Sequence, residues 1–227
     1  MKVVLLPSGE GAAKRRVRDP ESCELKNTMI TVVDYKLNNL RSIENTLRRL
    51  GHDVQVTSDP EVVQKAEKLI LPGVGAFRDA MGNLKTYHLV EPFVNRVRSG
   101  VPTLGICLGM HLIFSESEEF GLHRGLDLIP GRVRRIPDPV IVPHMGWNSL
   151  KLKKEDPILA GITPGSFVYF VHSYYADPAA ADVTLATTDH GIDFAAIVHK
   201  DNLWATQFHP EKSQKVGERL LDNFGRL

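Results

Sequence analysis

From residue 29 onward the chain alternates short apolar runs with segments whose apolar positions recur every three or four residues. Residues 30–34 form the first run and read as a strand. Over residues 38–50, Leu40, Ile43, Leu47 and Leu50 share one stripe, which predicts an amphipathic helix closed by Gly51. Strands at 54–56 and 68–71 bracket a short helix over 60–66. Beyond Pro72-Gly73-Val74-Gly75, helical patterns cover 76–84 and 88–98, and 103–106 reads as a buried strand. Helical spacing follows at Leu108, His111, Leu112 and Phe114. This alternation predicts an α/β fold, with a mainly parallel, doubly wound sheet flanked by helices. From about residue 128 strands dominate, at 131–136, 166–171, 183–186, 194–198 and an extended run at 203–208. A closing helix is expected over 212–224.

Composition changes this picture little. The 227 residues, 42% of them hydrophobic, suit one α/β domain with a sizeable core. A formal net charge of +1 gives no reason to expect nucleic acid or a membrane surface as partner. No apolar stretch reaches the roughly 18–20 residues of a spanning helix. A disulfide between Cys23 and Cys107 would quench a thiol nucleophile, so a reducing cytoplasm is the simpler expectation. Residues 1–28 differ from the rest: a brief apolar start precedes the basic tract Lys14-Arg15-Arg16. That order is wrong for a secretory signal. The expectation is a poorly ordered extension over 1–28 and one domain over 29–227.

Two stretches carry candidate chemistry. Gly105-Ile106-Cys107-Leu108-Gly109 is a cysteine version of the Gly-x-Ser-x-Gly elbow, in which a nucleophile sits on a strained strand-to-helix turn. A helix start favours a thiolate, whereas a buried structural cysteine is the ordinary alternative. A nucleophile needs a base, and the base needs an orienting partner. His209-Pro210-Glu211 offers both: proline disfavours helix at His209, and in an extended segment positions i and i+2 share a face. No Cys/His spacing suggests a metal, and no phosphate-binding glycine pattern occurs, so no cofactor is expected.

Together, Gly105-Ile-Cys-Leu-Gly-Met110, Pro72-Gly-Val-Gly75 and Gln207-Phe-His-Pro-Glu-Lys-Ser213 resemble the class I glutamine amidotransferases with a Cys-His-Glu triad. Pro143-His-Met-Gly-Trp-Asn148 and Tyr169-Phe-Val-His-Ser-Tyr-Tyr175 narrow the resemblance to the glutaminase subunits of imidazole glycerol phosphate synthases. It covers residues 29–227 and implies hydrolysis of L-glutamine by Cys107, His209 and Glu211, in a heterodimer with a (β/α)8 cyclase. It further implies oxyanion donors at Val74 or Gly75 and at Leu108. Substrate contacts are implied at Gly73, His111, His172, Ser173 and Tyr174. Asn39, Trp147, Asn148, Tyr169 and Lys212 would lie toward the partner.

Two departures stand out. The family usually has glutamine where this chain has His111, which is expected to make substrate binding pH-dependent near its ordinary pKa of about 6.5. The loop Asp34-Tyr35-Lys36-Leu37-Asn38-Asn39 lacks the family's two glycines. A related glutaminase serving another synthase, or a non-catalytic regulatory subunit of the same fold, remains open at this point.

Overall fold

The computed structural model describes residues 28–37 and 40–227. Residues 1–27, which carry most of the expected extension and Cys23, and Asn39 lie outside the described residues.

The first half follows the apolar pattern closely. It runs β1 (Ile30–Val33), α1 (Leu40–Arg49), β2 (Val54–Thr57), α2 (Pro60–Gln64), β3 (Lys68–Gly73), α3 (Phe77–Thr86), α4 (Val90–Arg98) and β4 (Thr103–Cys107). The strands stand in the order β2-β1-β3-β4 and all pair in parallel. Successive side chains along a strand point to opposite faces, and two separate cores result. Val33, Leu69 and Leu71 pack with Phe77, Leu84, Phe93 and Val97 of α3 and α4. Ile30, Val32, Ile70, Leu104 and Ile106 pack with Ile43 and Leu47 of α1. The sheet is therefore covered on both faces, as expected of a doubly wound fold.

After Cys107 the structure departs from the pattern. Helix α5 (Leu108–Leu112) is a little over one turn, and Phe114, expected within it, opens β5 (Phe114–Ser117). Every residue from Leu108 to Phe114 is buried, so helical spacing had no polar face to disclose where the helix stops. The remaining elements are β6 (His123–Arg124), β7 (Ile129–Arg135), β8 (His144–Ser149), β9 (Lys151–Leu152), β10 (Phe167–His172), β11 (Tyr174–Pro178), β12 (Thr184–Asp189), β13 (Asp193–Lys200), β14 (Leu203–Thr206) and α6 (Gln214–Arg226).

Strand β14 joins β4 in parallel, and β13, β12 and β9 extend the sheet antiparallel to eight strands. Helix α6 covers the same face as α1, through Leu220, Leu221 and Phe224. Strands β11-β7-β5-β6 form a second sheet, and β8 pairs antiparallel with β10. Strand β8 escapes a pattern reading because its pattern is inverted. Its buried or half-buried side carries His144, Gly146 and Asn148, while Met145 and Trp147 are exposed. Among the described residues no helix is long and apolar enough to cross a membrane.

Candidate active site

The carboxyl ends of β3, β4 and β14 lie side by side, because Gly73 pairs with Cys107 and Thr206 with Ile106. Such edges gather the ligand sites of parallel sheets. Cys107 is the last residue of β4 and precedes α5, with φ +53° and ψ −106°. A non-glycine residue held there costs about 1–3 kcal/mol, so the surrounding packing must enforce it. Gly109 shows how: a Cβ on it would lie 1.7 Å from the Leu71 carbonyl oxygen. Only glycine lets α5 press onto β3 and hold the elbow. Leu108 opens α5, and the first N–H groups of a helix have no intrahelical acceptor.

His209 follows β14 and is 2% exposed. Its Nδ1–H donates to Glu211 Oε1 at 2.8 Å. The pair does not form by strand alternation. Pro210–Lys212 is a single 3-10 turn that brings Glu211 back beside the imidazole. Burial works against a charged His209, but the Cys107 sulfur and the Glu211 carboxylate outweigh it and push the imidazole's pKa up to about 10.

A cavity of about 400 Å³ opens onto Cys107, lined among others by Val74, Gly75, Leu108, Glu119 and Lys212. His111, His172, Ser173 and Tyr174 also line it. Gly73 does not; with His209 and Glu211 it borders a separate small pocket. The space a side chain would take at Gly73 is filled by the Tyr35 hydroxyl and Leu108, so this glycine serves close packing. Glu119 was missed from sequence. Its Oε2 accepts from the Phe77 N–H at 2.6 Å, and burial, partly offset by that bond, pushes its pKa up. Among the described residues no group of three or more His, Cys, Asp or Glu side chains is placed to hold a metal ion.

His111 corrects an expectation. It is 5% exposed, its Nε2–H donates to Gln207 Oε1 at 2.9 Å, and burial pushes its pKa down to about 4. It is neutral at neutral pH and gives no reason for substrate binding to titrate near 6.5.

Of the residues assigned to the partner side, Trp147 and Tyr169 meet edge to face at 6.0 Å, and Lys212 Nζ stands 6.0 Å from the Tyr169 ring centre. Asn148 turns away from that cluster. Its Nδ2 donates inward to the Asp189 carbonyl and to His144 Nε2. In the loop lacking two glycines, Lys36 sits at φ +67°. Asp34 compensates by accepting from the Lys36 N–H at 2.8 Å and from its Nζ at 2.6 Å.

A family model described as glutamine amidotransferase class-I matches residues 31–226. The chain is similar to imidazole glycerol phosphate synthase subunit HisH of Syntrophotalea carbinolica, 53% identical over 88% of this chain and 100% of that protein. It is likewise similar to the HisH of Geobacter sulfurreducens, 49% identical over 88% of this chain and 99% of that one. The HisH of Methanothermobacter thermautotrophicus is 50% identical, over 86% and 97% respectively. Among solved structures, a crystal structure titled glutamine amidotransferase aligns with TM-score 0.69 at 19% identity, covering 87% of this chain and 99% of that one. PurLQS from Thermotoga maritima aligns with TM-score 0.66 at 15% identity, covering 86% and 95%. These structures carry the fold alone; the sequence relatives carry the narrower assignment. The chain belongs to the HisH family of imidazole glycerol phosphate synthase subunits, within the class I glutamine amidotransferases.

Proposed function

We propose that this subunit hydrolyses L-glutamine through a thioester on Cys107 and delivers the ammonia to a (β/α)8 cyclase in a heterodimer that serves histidine biosynthesis. The observation that carries the reading is the strained Cys107 elbow, which lines the cavity and adjoins the buried His209–Glu211 pair. At neutral pH His209 rests protonated against Cys107 and Glu211. The Cys107 sulfur attacks the side-chain amide carbon. As the tetrahedral intermediate collapses, the C–N bond breaks and His209 gives its proton to the departing ammonia. The neutral imidazole then takes a proton from water, which attacks the thioester and releases glutamate. The Cys107 sulfur leaves the carbonyl carbon, and His209 is again protonated. Glu211 fixes the ring so that Nε2 faces the reacting atoms throughout.

The oxyanion forms against backbone N–H groups at Leu108 and at Val74 or Gly75, which line the cavity together. Glu119 complements the substrate's α-ammonium group from the same lining. His172, Ser173 and Tyr174 form the opposite wall. The partner docks on the exposed face bearing Met145, Trp147 and Phe167, next to Tyr169 and Lys212. Reconstitution with the cyclase subunit tests the reading: glutamine must yield glutamate and drive formation of imidazole glycerol phosphate. A complex that uses free ammonia but never glutamine would overturn it.

A further inference from the structure

Behind the cavity wall lies a chain of hydrogen bonds whose direction is fixed at both ends. The Ser149 N–H donates to Asn148 Oδ1 at 2.8 Å, so the Asn148 amide nitrogen must be the group that faces the other way. That nitrogen donates to the Asp189 carbonyl at 2.7 Å and to His144 Nε2 at 3.2 Å. His144 therefore carries its proton on Nδ1, which donates to His172 Nε2 at 3.0 Å. His172 in turn must carry its proton on Nδ1, which donates to the Tyr174 carbonyl at 2.8 Å. A carbonyl can only accept and a backbone N–H can only donate, so no member can reverse alone.

Burial lowers the pKa of His144, with His190 adding to the effect, and lowers that of His172, with His144, His111 and His190 adding to it. Both rings are thus neutral, as a one-way chain requires. The His144 ring is also clamped, stacked 4.7 Å from Phe170 on β10 and 4.0 Å from His190.

We infer that His144 is a positioning residue: the chain Asn148–His144–His172 holds the Tyr174 carbonyl in place and ties β8 to the substrate cavity. Strand β8 carries the exposed Met145 and Trp147 on its outer side and the chain on its inner side. A displacement of β8 on docking is transmitted to the turn between β10 and β11, and so to the cavity wall. The inference rests on the reading of that cavity as the glutamine pocket.

The test uses the full chain in two measurements. The first is ¹⁵N correlation NMR of the histidines, which needs no turnover. His144 and His172 are expected as Nδ1–H tautomers at pH 7; an Nε2–H tautomer at either would overturn the inference. The second is kinetics in the complex with the cyclase subunit. His144→Phe keeps a stacked ring but breaks the chain, and is expected to raise KM for glutamine about tenfold with kcat changed less than threefold. His144→Asn places an amide donor near the Nδ1 position and is expected to return KM to within threefold of wild type. A His144→Phe enzyme with KM within twofold of wild type would overturn the inference. So would a His144→Asn enzyme no better than His144→Phe. If the wild-type complex itself failed to use glutamine, the reading of the pocket would fail instead, while the tautomers would still be read.

Discussion

Removing the Ser213 hydroxyl should unseat His209. Ser213 is 1% exposed, and its Oγ donates to the His209 carbonyl at 2.7 Å while accepting from the Tyr169 N–H at 2.9 Å. The His209 N–H donates back to the Tyr169 carbonyl at 3.0 Å, so one hydroxyl completes a link between β10 and the His209 turn. In Ser213→Ala the His209 carbonyl keeps the Lys212 N–H as donor, so its loss is a single hydrogen bond of about 0.5–1.5 kcal/mol. The part-buried Tyr169 N–H is left without its acceptor, which costs about 1–3 kcal/mol. Together the change costs about 1.5–4.5 kcal/mol. At about 3 °C per kcal/mol for a chain of this size, Tm falls by about 5–14 °C. The freed turn lets His209 drift from Cys107, so kcat should fall at least tenfold while KM changes little, because Ser213 does not line the cavity. Calorimetry and glutaminase kinetics in the partner complex read both. A variant with Tm within 1 °C of wild type and unchanged kcat would refute the role given to Ser213.

Gly109→Ala places a Cβ against the Leu71 backbone and should destabilise by more than the usual 1–3 kcal/mol of overpacking, with glutaminase activity lost. Gly82→Ala on α3 meets nothing within 4 Å and serves as control; equal melting and activity of the two variants would dispose of the packing argument. His111 has a folded pKa near 4 against about 6.5 unfolded, so between those values the unfolded chain binds more protons and stability falls as pH drops. At pH 5 this one group accounts for a loss of about 2 kcal/mol, and His111→Gln should lose that much less between pH 7 and pH 5 in urea titrations. Identical losses would mean that His111 is protonated in the folded chain.

Much of this was legible in the sequence because the first half obeys simple periods. Strands β1, β3 and β4 are buried on both faces and read as apolar runs, and α1 shows a single stripe. The cysteine elbow and the His-Pro-Glu turn carry their chemistry in residue type and spacing. His209 and Glu211 do hydrogen-bond, but through a 3-10 turn instead of the expected extended strand. Strand β8 stayed hidden because its inward residues are polar and its outward ones apolar. In that inversion His144 and Asn148 hydrogen-bond inward while Met145 and Trp147 stay exposed. Glu119 belongs to no motif and reaches the cavity only through the sheet that starts at β5. The neutrality of His111 depends on its burial against Gln207, 96 positions away, which no local pattern reports.

The central claim is that Cys107 is the nucleophile, and one comparison tests it most directly. The Cys107→Ser subunit, assembled with the cyclase, is assayed for imidazole glycerol phosphate formation with glutamine and, separately, with ammonium salt as nitrogen donor. The account predicts that the glutamine-dependent rate disappears while the ammonia-dependent rate stays at the wild-type level, because free ammonia bypasses the thioester. A Cys107→Ser complex that keeps most of its glutamine-dependent rate would contradict it.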